Sequence, residues 1–495
     1  MKFYTHVSTY GSKILVRGYN NGIKNLERAD FKPTLFVQSN TAEDWKSLHG
    51  DPLKPIKLDS PKAGRDYVKK YEDVEGFKIH GMTDFHYQYI IENYPGDIQY
   101  SIDQMGVWFL DIEVVETDPA KGQGGFPDVQ KADIPIVLIS IYDKTTKKTV
   151  VFGEKAYNRS SQDTFTYKQY KDEKTMLTEF LVYWQQNCPD IVSGWNTDEF
   201  DFPYLINRII KTIGEDQAKK LSPFGLIRER MIKIRGAEVQ TYDIIGVTQL
   251  DYLRLYKKFG AQNKKDSYTL DAIAFEELGE NKVESPANNF QDWFLNHFDS
   301  FISYNAKDSQ LVAKMDDKMK LLDLIISMTY LVKCNFNDVF GPVNTWDVFV
   351  YNHLHNKKIA IPPHTQKIGG EFEGAWVKDV VPGLYGWVMT FDFASLYPTI
   401  VRQWNISPET LDSRKENIRP DDLINTEEGL SKYAFDNDLT IAANGTLYHK
   451  DSTGIIPELM GYLLDGRKIT KKEMIKKQQE YQSICEEISK RTGEV

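Results

Sequence analysis

The sequence predicts a multi-domain α/β (α+β) protein, and three observations predict it. The chain has 495 residues, enough for several hydrophobic cores. Beyond about residue 107, strand-like runs give way to alternating helix and strand patterns, which describe a mixed sheet with helices packed on it. Pro362-Pro363 and Gly369-Gly370 then punctuate a boundary, after which new elements begin.

The first hundred residues open with two strand-like runs, Lys2 to Thr9 and Ser12 to Tyr19, joined at Gly11. Asn21-Gly22 marks a turn, and Thr34 to Val37 reads as a further strand. Ser60-Pro61 has the form of a helix start, and Tyr67, Val68 and Tyr71 follow at helical spacing. This small mixed unit carries no evident chemistry. Val107 to Val114 reads as a buried strand. After a polar loop, Gly122 to Gly125, the runs Ile134 to Tyr142 and Thr149 to Phe152 predict a hairpin with a charged turn at Asp143 to Lys148. Met176, Leu177, Phe180, Leu181 and Trp184 share one helix face. A short strand, Asp190 to Gly194, and a helix, Pro203 to Ile213, come next. Tyr304 to Met319 reads as a helix, Gly386 to Phe393 as a strand, and Pro457 to Lys490 as a long polar helix.

Composition sets outer limits on function. Hydrophobic residues make up 41% and charged residues 27%, as in ordinary soluble proteins. No apolar run reaches the length that crosses a bilayer, and the N-terminus reads as a strand, so neither a membrane nor a targeting role is predicted. A net charge of −10 argues against a generally basic nucleic-acid coat, but leaves room for local basic grooves beside acidic metal sites. Cys188, Cys334 and Cys485 are scattered and odd in number, which suggests neither a disulfide framework nor a zinc cluster and fits a reducing cytoplasm.

The candidate chemistry lies in carboxylates. Asp111 and Glu113 stand two apart on an apolar strand, so both point to one side of the sheet. Paired carboxylates there need a cation, and hard oxygen ligands suit Mg²⁺ or Mn²⁺. A solvent-facing strand end explains the pair equally simply. Asp201, in Gly194-Trp195-Asn196-Thr197-Asp198-Glu199-Phe200-Asp201-Phe202-Pro203-Tyr204, also fits a helix N-cap. Tyr304 and Asp308 are i and i+4 on one helix face, which a solvated face would also explain.

The set, in this order, resembles family B DNA polymerases. Phe109-Leu110-Asp111-Ile112-Glu113 looks like the family's first exonuclease motif, the Gly194 to Tyr204 run like its second, and Tyr304-Asn305-Ala306-Lys307-Asp308 like its third. Leu221-Ser222-Pro223, Leu250-Asp251-Tyr252, Thr345-Trp346-Asp347 and Asn405-Ile406-Ser407-Pro408-Glu409-Thr410 also match, most nearly in replicative polymerases of T-even-like tailed phages. The resemblance covers essentially the whole chain. It implies an RNase H-like 3′→5′ exonuclease in which Asp111, Glu113, Asp201 and Asp308 hold two Mg²⁺ ions. Tyr304 would orient the attacking water, and Asn196 would contact the frayed primer. The Arg230 to Asp243 segment resembles the hairpin that helps separate the primer end. Phe391-Asp392-Phe393-Ala394-Ser395-Leu396-Tyr397-Pro398 is similar to the first polymerase motif. There Asp392 would bind metal, the backbone at Ser395 and Leu396 would cradle the nucleotide's phosphates, and Tyr397 would lie under the sugar. An apolar strand with a capping Asp is the alternative. Arg467 and Lys471, one helical turn apart, match residues that reach the triphosphate.

Two parts that the resemblance calls for do not occur: a Lys-x-x-x-Asn-Ser-x-Tyr-Gly fingers helix and an Asp-Thr-Asp palm turn. The expected organisation is an N-terminal domain (1–103), the exonuclease (104–322), a return through the N-terminal domain (323–365), a partial palm (366–453) and a first fingers helix (454–495). The preferred expectation is one half of a split polymerase in the cytoplasm of an infected bacterium. It would act on primer-template DNA and dNTPs with a second polypeptide, through which a sliding clamp would be reached. A prematurely stopped product, a stand-alone exonuclease with a vestigial palm and a non-catalytic DNA-binding remnant are the alternatives. The retention of Asp392 and all four exonuclease carboxylates disfavours the last.

Overall fold

Two turns at positive φ, Gly11 (58°) and Gly22 (82°), fold the first thirty residues into an antiparallel meander of β1 (Lys2–Tyr10), β2 (Lys13–Asn20) and β3 (Ile23–Asp30). The third strand was not predicted. Its residues do not alternate apolar and polar, because it is an edge strand exposed along nearly its whole length. The computed structural model describes residues 1–118, 127–158, 160–161, 163–234, 237–261, 263–363, 377–415, 430–442 and 444–492. The Gly122 to Gly125 loop, Gly369-Gly370 and the chain end lie outside these. The protein divides into two units, Met1–Ser47 with Asp51–Pro363, and Leu48–Gly50 with His364–Val495.

In the first unit a second small sheet has the order β5-β6-β4-β7, formed by β4 (Thr34–Gln38), β5 (Trp45–Lys46), β6 (Pro52–Lys57) and β7 (Ile79–His80). Helix α1 (Pro61–Tyr71) starts where predicted, with the Ser60 side chain accepting the Ala63 N–H at 3.2 Å, and α2 (Phe85–Asn93) follows β7.

The main sheet has six strands in the order β11-β10-β9-β8-β12-β15. They are β8 (Val107–Val114), β9 (Ile136–Asp143), β10 (Lys148–Gly153), β11 (Phe165–Gln169), β12 (Ile191–Gly194) and β15 (Thr248–Asp251). The predicted hairpin is β9 with β10, and β8 pairs antiparallel with β9 and parallel with β12, so the sheet is mixed. Strand β8 explains the layering. Trp108, Leu110 and Ile112 join a core with helices α3 (Glu173–Asn187) and α4 (Asp201–Ile213). The alternate face carries Asp111 and Glu113 and meets a helix spanning Phe298–Met319. That helix begins six residues before the predicted start, because Phe298, Phe301 and Ile302 pack beneath the sheet. A separate ribbon, β13 (Ile227–Ile234) with β14 (Ala237–Ile244), projects between α4 and β15 in sequence.

The second unit holds a helix over Leu396–Gln403, a small sheet of β16 (Leu411–Lys415), β17 (Leu439–Ile441) and β18 (Thr446–His449), and a helix over Ile455–Thr492. The Asn405 to Thr410 run caps this long helix. Glu409 accepts the Ile455 N–H at 2.5 Å and Ser407 Oγ the Ile456 N–H at 3.3 Å. The strand predicted over Gly386 to Phe393 is not formed. The pattern is apolar enough, but no described strand pairs with it, and Trp387 (97%) and Phe391 (84%) are open to solvent. A strand exists only with a neighbour to take its backbone hydrogen bonds.

Within the first unit, one buried charge ties the N-terminal meander to the main sheet. Asp190, just before β12, is fully buried and lies 3.0 Å from Arg17 Nε. It also accepts from Tyr19 Oη (2.7 Å) and the Gly106 N–H (2.9 Å). Arg17 donates in turn to the carbonyls of Cys188, Pro189 and Gly246. Replacing Arg17 by Met takes from Asp190 its buried cation and leaves it the partly exposed Lys24 ammonium, 3.2 Å away. It should cost about 3–5 kcal/mol in urea denaturation; a loss within error of zero would show the pair to be dispensable.

Candidate functional site

Strand β8 sets Asp111 opposite Ser140 and Glu113 opposite Leu138, both on the face covered by the Phe298–Met319 helix. The Ser140 hydroxyl donates to the Asn305 carbonyl at 3.0 Å and pins that helix to the sheet. Asp308, four residues beyond Tyr304, then faces the strand. One oxygen from each of Asp111, Glu113 and Asp308 lies within 4.8 Å of the others. Glu113 and Asp308 are buried and Asp111 is partly buried. Asp308 Oδ1 is enclosed without a hydrogen-bond partner.

Burial, reinforced by neighbouring carboxylates, raises Asp111 and Glu113 well above the usual range. Burial also pushes Asp308 up to about 6, against the pull of Lys282. Asp201, at the first position of α4, is buried and raised to about 7 by the same cause. It stands beside the trio and not within it. Its Oδ1 accepts the Ile112 N–H at 3.1 Å, and its charge adds to the rise of Asp111 and Glu113.

Two residues that the sequence did not single out hold this cluster together. Lys282 Nζ lies 2.5 Å from Asp308 Oδ2 and donates to the Tyr304 hydroxyl at 2.7 Å. Burial pulls this ammonium down, but Asp308 and Asp111 outweigh it and the net shift is upward. Tyr304 is raised by burial and the surrounding carboxylates, so it keeps its proton. Asn305 Nδ2 donates to Asp111 Oδ2 at 2.6 Å. Asn305 lies inside the run quoted for the third motif and could have been flagged. Lys282 follows Gly279-Glu280-Asn281 in a loop with no periodic signal.

The turn between β12 and α4 is built without slack. A Cβ at Gly194 would collide with the Leu110 carbonyl, and Asn196 adopts φ 66°. The buried Asp251 carboxylate accepts the N–H groups of Asn196 (3.2 Å) and Asp198 (3.1 Å), and caps the next helical turn through Leu253 (2.8 Å). This gives the Leu250-Asp251-Tyr252 run a physical role.

The second-unit residues are arranged differently. Asp392 is exposed in a segment without regular secondary structure. Ser395 (φ 52°) immediately precedes the Leu396–Gln403 helix, and Leu396 and Tyr397 are exposed in its first turn. Arg467 and Lys471 are exposed on the long helix. Among the described residues, no carboxylate group comparable to the trio gathers around Asp392.

Comparison with known sequences matches residues 83–273 to the exonuclease domain of DNA polymerase family B and residues 346–489 to DNA polymerase family B. Lys282, Tyr304 and Asp308 lie outside both matches and join the site through the fold. The DNA-directed DNA polymerase of Enterobacteria phage T4 is 31% identical over 99% of this chain and 56% of its own length. That of Escherichia phage RB69 is 31% identical over 98% and 56%. DNA polymerase 1 of Sulfurisphaera ohwakuensis is 27% identical over 76% and 41%. The chain thus spans about half the length of the curated relatives it matches. With near end-to-end similarity to the two phage polymerases and a match to each of two family B domains, the chain belongs to the family B DNA polymerases.

Proposed function

We propose that this chain removes nucleotides from the 3′ end of DNA and contributes half of a polymerase site. The carrying observation is the convergence of Asp111, Glu113 and Asp308 within 4.8 Å. Once ionised, three carboxylates beside the Lys282 ammonium carry two net negative charges in a buried place, which suits a divalent cation with oxygen ligands. The unpartnered Asp308 Oδ1 is a ready ligand atom. Asp111, Glu113 and Asp308, with Asp201 beside them, would hold two Mg²⁺ ions. When bound, such ions supply an acidified water and stabilise the departing 3′ oxygen. The protein's own groups do the rest. Lys282 donates to the Tyr304 oxygen, which frees the phenol proton to orient the attacking water. Asn196 lies at the turn where it would meet the frayed strand. The β13–β14 ribbon would help keep primer and template apart. These roles make residues 104–322 the nuclease module, between an N-terminal domain (1–103) and its return (323–365).

For synthesis, we infer that Asp392 binds metal, that the backbone at Ser395 and Leu396 holds phosphates, that Tyr397 rejects a 2′-hydroxyl, and that Arg467 and Lys471 clamp the triphosphate. In-line phosphoryl transfer needs a second palm carboxylate, and the Asp-Thr-Asp run is absent from these 495 residues. We take that carboxylate, the remaining fingers, the thumb and the sliding-clamp contact to come from sequence outside these residues, in the same chain or in a companion polypeptide. The phage relatives suggest the cytoplasm of an infected bacterium as the setting; among the described residues, no helix is long and apolar enough to cross a membrane.

The chain should degrade single-stranded DNA from the 3′ end with Mg²⁺, and D111A/E113A should lower that rate by about 100- to 1000-fold or more. An unchanged rate would remove these carboxylates from the reaction. Primer extension by these residues alone, without an added companion chain, would overturn the reading of the palm.

Stability should depend on pH in a stated direction. Asp201 and Asp308 have an ordinary value of 3.8 and are raised on folding to about 7 and about 6. The folded state therefore holds protons that the unfolded state has released. The stability they give is full below about pH 4 and is lost as pH rises through about 6 to 7. Without divalent ions, the melting temperature should fall by several degrees between about pH 5 and about pH 8. Mg²⁺ or Mn²⁺ should restore it at the upper end far more than at the lower. A flat profile, or equal rescue at both ends, would contradict the cluster's buried, repulsive character.

A further inference from the structure

Asp198 is a buried anion held between cations from two different elements. Its Oδ2 pairs with Arg254, in the short helix Tyr252–Leu255 that follows β15. Its Oδ1 lies 4.0 Å from Arg230 Nη2 on β13 and accepts no hydrogen bond. Arg230 is shared, because its Nε also lies 2.8 Å from Asp243 on β14. The Asp198 backbone is fixed as well, by the N–H bond to Asp251. Asp198 sits in the turn that runs from Asn196 to Asp201, so one side chain touches both the nuclease turn and the ribbon.

The ribbon needs such anchors. Among the described residues, β13 and β14 pair with each other and with no further strand. A lone two-stranded ribbon is compliant and keeps its place through side chains at its root. Arg228 donates to the Thr9 carbonyl at 2.8 Å, and Tyr242 donates to Asn207 at 2.5 Å. Those contacts reach the N-terminal meander and α4. The Arg230–Asp198 contact reaches the turn that leads to the carboxylates.

We propose that Asp198 is a positioning residue that couples the β13–β14 ribbon, through Arg230, to the turn carrying Asn196 and Asp201. The inference rests on the nuclease reading above. A single strand needs the cleavage site but not the ribbon. A paired 3′ end must be opened and kept open, which requires the ribbon to hold its position against the turn.

The test compares Arg230→Gln, Asp198→Asn and the double variant on two Mg²⁺-dependent reactions of the full chain. One uses a single-stranded oligonucleotide and the other a primer-template with the same 3′ sequence. R230Q should leave the single-strand rate within about twofold and slow the primer-template rate by about five- to tenfold. D198N should act in the same direction, and the double variant should be no worse than the more severe single one. If D198N fails to fold, judged by its melting transition, R230Q decides alone, since Arg230 lies at the partly exposed root of the ribbon. Equal slowing on both substrates, or none on the primer-template, would overturn the coupling. An unaltered chain that cannot degrade single strands would remove the nuclease reading, and this inference with it. An active chain without the selective loss would remove the inference alone.

Discussion

Like charges gathered where water is scarce set the terms for the first unit. Asp111, Glu113 and Asp308 repel one another, and Asp201 adds to the strain from the adjoining helix start. Nothing in the hydrophobic effect would bring them together. They are brought together because the apolar residues around them leave no choice. Leu110 and Ile112 lock β8 against α3 and α4, and the strand's period of two then forces Asp111 and Glu113 to the opposite face. Phe298, Phe301, Ile302 and Ala306 lock the covering helix, and its pitch delivers Asp308. Folding energy from two cores is thus stored as electrostatic repulsion in one place, where a cation or a proton relieves it.

The supporting contacts follow one logic, in which backbone is fixed by buried carboxylates. Asp190 accepts from side chains and backbone of two sheets, and Asp251 gathers the N–H groups of the turn before α4. Each is a costly buried carboxylate whose oxygens are hydrogen-bonded, so each specifies a single arrangement. Asp201 belongs to both systems. It accepts the Ile112 N–H as a structural carboxylate would, yet it sits beside the trio with a raised pKa. It is the first residue of α4 rather than its N-cap, which is Phe200, and its carboxylate reaches across to the backbone of β8.

Much of this was legible in the sequence because the signals are local. The pair on β8 follows from alternation, and Tyr304 with Asp308 from helical pitch. The Ser60 cap, the β9–β10 hairpin and the α3 face come from short-range patterns of the same kind. What escaped was nonlocal. Lys282 comes from a loop 26 residues before Asp308, and only packing brings its ammonium to the carboxylate. Strand β3 lacks alternation because both its faces are exposed. The Gly386 to Phe393 run has the opposite history. Its pattern is a strand's, but a strand is made by its neighbour, and that information lies elsewhere in sequence.

The two candidate centres therefore differ in kind. The groups described around the carboxylate cluster, from Ser140 to Lys282 and Asn305, lie within one unit and are held by buried or part-buried contacts. The segment bearing Asp392 instead presents Trp387, Phe391 and Phe393 to solvent, a concentration of apolar surface far above what a settled exterior carries. The Ile455–Thr492 helix is nonetheless well defined at its origin, because Ser407 and Glu409 satisfy its first N–H groups. Order at the cap and exposure over Gly386 to Phe393 are compatible. A cap needs one neighbouring loop, whereas a strand and its carboxylate need a sheet. A strand over Gly386 to Phe393 would need a neighbouring backbone edge, and a contact that buried Trp387 and Phe391 would fix the position of Asp392 as well.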